Sequence, residues 1–329
     1  MASTAIGAAG EDARTITFMN KEHKEFYLEY LPKCRWKDVY HKALVYCLGI
    51  DRDTRKHVNR IYDFKNGSVK PECLQEGGGK TTTTINLGVG LAKEGKKVVL
   101  VDADPQGHLT MGLGFPKNLR VTLKTMMENI IMGLEFDPKE AVLHHAEGID
   151  VIPSNKLLSG MDMSLFTVED REKVLKEYLD LLKDEYDYIL IDGMPSLGML
   201  TINVLACADS VLIPVQAAYL PIKGLQQLMK TIAQVKRQLN PRLEIEGVLV
   251  TMFDRRTKNA RDITELLEEN YGAMLNVFAN KIPISVRAAE TTAKGVSIFQ
   301  YDPNGSVGQA YKALTKEVLV DERGNSERD

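Results

Sequence analysis

The sequence predicts an α/β fold: a mostly parallel sheet with helices on both faces, preceded by a small, mainly helical segment. Three observations carry that prediction. A glycine cluster ending in Lys-Thr, Glu76-Gly77-Gly78-Gly79-Lys80-Thr81-Thr82-Thr83-Thr84, runs straight into an apolar helical pattern. Two apolar runs, Lys97 to Asp102 and Tyr188 to Asp192, each finish in an acid. Downstream, short apolar runs alternate with helical periodicity across short links, which is the pattern of a parallel sheet wrapped on both sides.

The glycine cluster reads as a phosphate-binding loop. Glycine lacks Cβ, so the N–H groups of Gly77, Gly78 and Gly79 can turn inward around an anion at a helix N-terminus, where the dipole also favours negative charge. Lys80 would reach the β- and γ-phosphates, and the hydroxyl of Thr81 would hold Mg²⁺. For the loop alone, a flexible linker before a Thr-capped helix is the alternative. Asp102 and Asp104 follow the first apolar run and Asp192 ends the second; in open α/β sheets ligands bind at those carboxyl ends. Any one of these acids could be a cap or turn residue. Two strands ending in Asp behind one Gly-Lys-Thr loop weigh against that reading.

Element by element, residues 1–14 are small and polar without periodicity and read as a disordered tail. Thr15 to Met19 is β-branched and aromatic, a short strand, and helical patterns follow at Lys21 to Leu31, Trp36 to Leu48 and Asp51 to Phe64. Residues 15–75 form the N-terminal segment, 76–320 the main domain and 321–329 a polar tail. Within the main domain, helices are expected at Thr82 to Glu94, Val121 to Met132, Val168 to Lys183, Ile222 to Leu239, Asn259 to Asn270 and Val307 to Leu319. Strands are expected at Ile149 to Pro153, Ser210 to Val215 and Ile245 to Met252, besides the two that end in acids.

Composition narrows the class. The 329 residues carry a net charge of −3 and are 44% hydrophobic, which suits a cytoplasmic globular protein. No apolar run approaches the roughly 20 residues of a membrane span, and the basic-then-apolar pattern of a signal peptide is lacking. Cys34, Cys47, Cys73 and Cys207 are scattered, so they read as reduced thiols rather than a disulfide framework or metal site. His23, His41 and His57 lack metal-ligand spacing. Thr54 to Arg60 is basic and could serve a helix-turn-helix, but preceding acids break the stripe and favour a solvated helix face.

The stretches GGKTTTTINLGVGLA, VVLVDADPQGHLT, YDYILIDGMPSLGMLTINVLACADSVLIPVQ, TMFDRRTKNARD and IPISVRAAETTAKGVSIFQYDPNGSVGQAYKAL resemble, in order and spacing, the ParA/Soj family of partition ATPases, relatives of MinD with a variant Walker A loop. The resemblance implies a P-loop NTPase fold, with ATP and Mg²⁺ as cofactors. It implies Gly77, Gly78, Gly79, Lys80, Thr81 and Thr82 around the phosphates and Asp104 orienting the attacking water. Thr81, Asp102 and Asp192 would serve the Mg²⁺ sphere, and Met252 to Arg256 with Pro283 would pack the adenine. It further implies an ATP-dependent homodimer, non-specific binding of double-stranded DNA through Arg255, Arg256, Lys258, Arg261 and Arg287, a ParB-type partner and association with the nucleoid. A solvated loop with helix-capping arginines is the alternative for the basic cluster.

Two departures stand out. The family loop reads Lys-Gly-Gly-x-Gly-Lys-Thr, and its first lysine crosses to the other subunit's nucleotide; aligned on Lys80, this chain has Gln75 there and Glu76 where the first glycine belongs. The apolar strand expected before the loop is replaced by Asn66 to Leu74, which contains Gly67, Lys70, Pro71 and Glu72. These features read as a fusion that removed a strand and part of the loop, leaving hydrolysis impaired. Thr15 to Met19 is the one upstream candidate to fill the gap. A membrane ATPase would need a basic amphipathic tail, and an iron–sulfur carrier would need paired cysteines downstream. The remaining rival is a non-enzymatic remnant that keeps the fold and DNA binding.

Overall fold

The computed structural model describes residues 79–326 apart from 195–197, 218–220 and 273–274, together with four short upstream strands at 3–6, 15–18, 62–63 and 68–69. The chain divides into two compact units, Met1–Leu74 and Gln75–Asp329. In the first, β1 (Ser3–Ile6) pairs antiparallel with β2 (Thr15–Phe18), and β3 (Tyr62–Asp63) pairs with β4 (Ser68–Val69). Two expectations are corrected here. Ser3–Ile6, placed in a disordered tail, is a strand because its residues find a β-branched partner in Thr15-Ile16-Thr17-Phe18. Tyr62–Asp63, placed at a helix end, pairs instead with Ser68–Val69. The expected helices at 21–31, 36–48 and most of 51–64 lie outside the described residues, as do Gln75, Glu76, Gly77 and Gly78.

The second unit opens with α1 (Lys80–Lys93), entered through Gly79 at φ 77°, a left-handed turn natural to glycine. There follow β5 (Val98–Ala103), α2 (His108–Gly112) and α3 (Leu123–Met132). β6 (Leu143–His145) and β7 (Ile149–Ile152) form a hairpin before α4 (Met161–Phe166) and α5 (Val174–Asp180). β8 (Tyr188–Gly193), α6 (Met199–Cys207), β9 (Ser210–Gln216), α7 (Pro221–Gln238) and β10 (Glu244–Thr251) continue the alternation. The unit closes with α8 (Lys258–Tyr271), α9 (Val286–Lys294), α10 (Ile298–Tyr301) and α11 (Ser306–Ser326).

Most expected elements appear within a residue or two of their predicted ends. The helix expected over Val168 to Lys183 is shorter. Asp170 sits at φ 53°, and the first turn of α5 is capped from outside by Asn203, whose Oδ1 accepts from Leu175 N at 3.1 Å while its Nδ2 donates to the Arg171 carbonyl at 2.8 Å. A tertiary partner thus sets the helix start where periodicity alone ran on. The last helix also continues through Ser326, past the expected onset of a polar tail.

The described strands of the second unit fall into two sheets. One has the order β6-β7-β5-β8, parallel except for the β6–β7 hairpin, and the other is the parallel pair β9-β10. Among the described residues no strand joins β8 to β9. Thr15–Phe18, within the one upstream candidate to fill the gap, pairs with Ser3–Ile6. Helices α1 and α11 pack on one side of the strands, with Leu87, Leu91, Leu100, Leu249, Tyr311 and Leu314 in one cluster. The other side of the larger sheet meets α3, α5 and α6 through Val99, Val101, Met126, Leu175 and Leu200. Gly88 and Gly90 permit close approach of α1: a Cβ at Gly88 would lie 2.5 Å from Leu100 Cδ2, and one at Gly90 would lie 2.2 Å from Thr315 Oγ1.

Candidate functional site

The site gathers where α1 begins and β5 and β8 end. Because the two strands run in parallel register, Asp102 lies directly beside Asp192 in the ladder. The first turn of α1 faces them: Thr81 Oγ1 donates to Asp192 Oδ2 at 2.7 Å. Gly79 lies against Thr251, the last residue of β10, whose Cβ would be 3.3 Å from an added Cβ. The helix N-terminus therefore rests between the carboxyl ends of the two sheets, where first-turn backbone N–H groups and the helix dipole favour an anion. Lys80 opens the helix and is half-buried.

The three acids differ in what they have left to offer. Asp102 is fully buried and accepts from Thr110 N at 2.8 Å, from Thr110 Oγ1 at 2.6 Å and from Asp104 N at 3.2 Å. Burial nevertheless pushes its carboxyl up to about 6. Asp192 is also buried and accepts a bond from Thr81 on Oδ2. Burial, reinforced by neighbouring Asp102, pushes it up to about 7. Asp104 is half-exposed in the turn after β5, where its Oδ1 accepts from Gln106 N at 2.9 Å.

Three residues of the site had no sequence signal. Thr110 holds Asp102 and also accepts from Ser154 N at 3.0 Å, tying the end of β5 to the end of β7. Asn86 donates to the Thr82 carbonyl at 2.8 Å and accepts from Ile298 N at 2.8 Å, joining α1 to α10. Thr83 shares a 3.1 Å hydrogen bond with the Tyr311 hydroxyl. Each depends on residues brought together from far along the chain, which spacing does not report.

The basic residues sit elsewhere. A β-bridge between Phe253 and Pro283, with Phe253 N donating to the Ile282 carbonyl at 2.9 Å, draws the loops at 252–256 and 283–287 together. Phe253, Asp254, Arg255, Arg256 and Pro283 line a cavity of about 830 Å³. Arg255, Arg256, Lys258, Arg261 and Arg287 are exposed. Arg256 makes a two-pronged contact with Asp254, both bonds at 3.0 Å, which holds the Asp254 carboxyl below the usual range. Arg287 pairs with Asp302 at 2.9 Å. Cys207 is a half-buried free thiol whose Sγ donates to the Val204 carbonyl at 3.2 Å.

A family model described as an AAA domain matches residues 74–245. The chain is 40% identical to the chromosome partitioning protein ParA of Caulobacter vibrioides over 76% of its own length and 92% of that protein's. It is 41% identical to the sporulation initiation inhibitor protein Soj of Bacillus subtilis over 75% and 96%. The chain belongs to the ParA/Soj family of partition ATPases.

Its fold is that of the P-loop NTPases. Among solved structures it resembles a Mycobacterium smegmatis protein described as cobyrinic acid a,c-diamide synthase with bound ADP and magnesium, at TM-score 0.66 and 31% identity, covering 76% of this chain and 93% of that one. Apo McdA of Cyanothece has the same TM-score at 26% identity, covering 75% and 96%. A second family model, DUF6075, of unknown function, matches residues 13–92. It overlaps the ParA/Soj portion across 74–92, so the signatures of two families meet at the glycine loop and first helix.

Proposed function

We propose that the chain is an ATP-binding partition protein that dimerises with ATP and binds double-stranded DNA without sequence preference, and whose hydrolysis is slowed by its altered loop. The observation that carries this reading is the 2.7 Å bond from Thr81 to Asp192 at the start of α1, with Lys80 beside it. A hydroxyl and a buried carboxylate with a raised pKa suit Mg²⁺, which takes one or two protein oxygens and fills its sphere from phosphates and water. Among the described residues no cluster of three or more His, Cys, Asp or Glu could hold a metal ion, and phosphate and water oxygens would complete the sphere. Mg²⁺ bound there would offset charge developing on the transferring phosphoryl group.

The chain's own residues then divide the work. Backbone N–H groups at the start of α1 and the Lys80 ammonium bind the phosphates, Thr81 and Asp192 hold the cation, and Asp104 orients water for in-line attack. Asp102, with both oxygens engaged by Thr110 and Asp104, holds the turn that carries Asp104. The cavity beside Phe253 and Pro283 takes the adenine. Exposed arginines contact DNA phosphates, and the family supports reading a ParB-type partner, a cytoplasmic location and nucleoid association. Among the described residues no helix is long and apolar enough to cross a membrane.

The test is a titration of a fluorescent ATP analogue into the purified chain with Mg²⁺ or EDTA, followed by hydrolysis with and without DNA. Saturable, Mg²⁺-dependent binding that falls at least about tenfold in Lys80→Ala supports the reading. The second reading, a non-enzymatic remnant, is favoured by the divided sheet; it predicts no Mg²⁺-dependent binding but retained DNA affinity.

A further inference from the structure

The cavity beside Phe253 and Pro283 is also lined by Asn280, from the link that leads into Pro283, and by Gln309, Ala310 and Ala313 of α11. Ala310, Ala313 and Glu317 recur at spacings of three and four, so they share one face of the helix, with Glu317 one turn beyond the lining.

Glu317 holds that link in place. Its Oε1 accepts from Ala279 N at 2.8 Å, and its Oε2 accepts from Asn280 N at 3.4 Å and from Asn280 Nδ2 at 2.6 Å. A carboxylate only accepts, so the Asn280 amide has to turn its NH₂ toward Glu317, which leaves Oδ1 outside these contacts. Gln309 is anchored in the same sense, its Nε2 donating to the Pro303 carbonyl at 3.0 Å. Both side-chain amides among the lining residues are thus oriented by acceptors, and each has an oxygen to offer.

The charged side chains around them are engaged with one another. Arg256 pairs with Asp254 at 3.0 Å, and Lys281 Nζ lies 3.3 Å from Glu268 and 5.5 Å from the centroid of the Phe253 ring. Phe253, Pro283 and Ile284 supply apolar surface. A ligand matched to this lining has an apolar face and a hydrogen-bond donor at its edge. Adenine meets both demands through its ring and exocyclic amine. Guanine and hypoxanthine carry a carbonyl in place of that amine, which would meet an amide oxygen with no hydrogen between them.

We propose that Asn280, oriented by Glu317 and seconded by Gln309, selects the base: it accepts from the exocyclic amine of adenine and rejects a carbonyl in that place. Glu317 acts through Asn280 and is a positioning residue. This selection rests on the nucleotide reading above, with the base in the cavity. Glu317→Gln reverses the orientation. The new side chain can still accept from Ala279 N through its oxygen, while its NH₂ donates to Asn280 Oδ1 and turns the Asn280 NH₂ toward the cavity.

Competition against the fluorescent ATP analogue with Mg²⁺ tests it, using ATP, purine riboside triphosphate, which lacks the amine, and inosine triphosphate, which has the carbonyl instead. The unaltered full chain should prefer ATP to each of the others on the order of tenfold or more. Glu317→Gln should move the ratio of ATP to inosine triphosphate affinity about tenfold toward inosine triphosphate, and Asn280→Ala should abolish the preference for ATP over purine riboside triphosphate. A purely structural role for Glu317 would lower all three affinities together and keep their ratios. The same ratios in all three proteins would overturn the selection and leave nucleotide binding standing. Failure of the unaltered chain to bind any triphosphate with Mg²⁺ would overturn the nucleotide reading and the selection with it.

Discussion

β5 and β8 are written in nearly the same chemistry, Val-Val-Leu-Val-Asp-Ala against Tyr-Ile-Leu-Ile-Asp-Gly, and they lie side by side in one ladder. One is wholly buried with its acid tied down by three hydrogen bonds, whereas the other is half-exposed with its acid bonded to Thr81. The difference comes from neighbours: among the described residues β5 has a strand on each side and β8 on one. An apolar run therefore states what a strand can bury, and the rest of the sheet decides what it does bury.

The largest expected effect comes from making β8 resemble β5. Replacing Gln75-Glu76 with Lys-Gly and inserting an apolar strand before the loop gives β8 a second neighbour and restores a cation near the phosphates. ATP turnover should rise on the order of 10²-fold, the usual scale for one stabilising group in a transition state. Equal rates in the repaired and present chains would show that the loop and the divided sheet do not limit hydrolysis.

Truncations sharpen the contrast in stability. Leu100→Ala in β5 should cost about 2–5 kcal/mol, and Leu190→Ala in β8 roughly half as much, because a half-exposed side chain has less burial to lose. Denaturant unfolding of the two variants reads this directly, and equal losses would mean that β8 is as well enclosed as β5.

The acids give a pH test in metal-free protein. Asp192 is raised from 3.8 to about 7 in the folded state. Between those values the folded chain keeps a proton that the unfolded chain has released, so stability falls as pH rises through the window, by up to about 1.4 kcal/mol per pH unit for one group. Asp192→Asn should flatten that part of the profile, measured by unfolding midpoints from pH 4 to pH 8. An unchanged slope would show that Asp192 is not the group held neutral.

The smallest effect lies outside both strands. Arg256→Ala with Arg287→Ala should lower the slope of log affinity for duplex DNA against log salt by about 2, and leave stability within about 0.5 kcal/mol. Their exposed pairs with Asp254 and Asp302 contribute little to folding. Unchanged affinity and salt slope would remove these arginines from DNA contact.

The legible parts of this molecule are those set by local pattern. The loop, α1, the two acid-ended strands and the alternation that follows all declare themselves through glycine content and apolar periodicity. The sequence also marks the fault, because Pro71 and its charged neighbours cannot form a central strand. What stays hidden is set by distant partners. The start of α5 depends on Asn203, the tie from Thr110 to the end of β7 depends on Ser154, and the ion pair of Arg287 depends on Asp302. None of these has a period that a sequence can display.

The hydroxyl contact between Thr83 and Tyr311 has a consequence for biosynthesis. It joins α1 to α11 across 228 positions, and Gly90 lies against Thr315 in the same seam. Tyr311 and Leu314 belong to the layer beneath the first helix, so a nascent chain emerging from the ribosome carries that layer unsealed until the last helix has been made. The first helix is among the first parts of this unit to be synthesised and among the last to gain its full support.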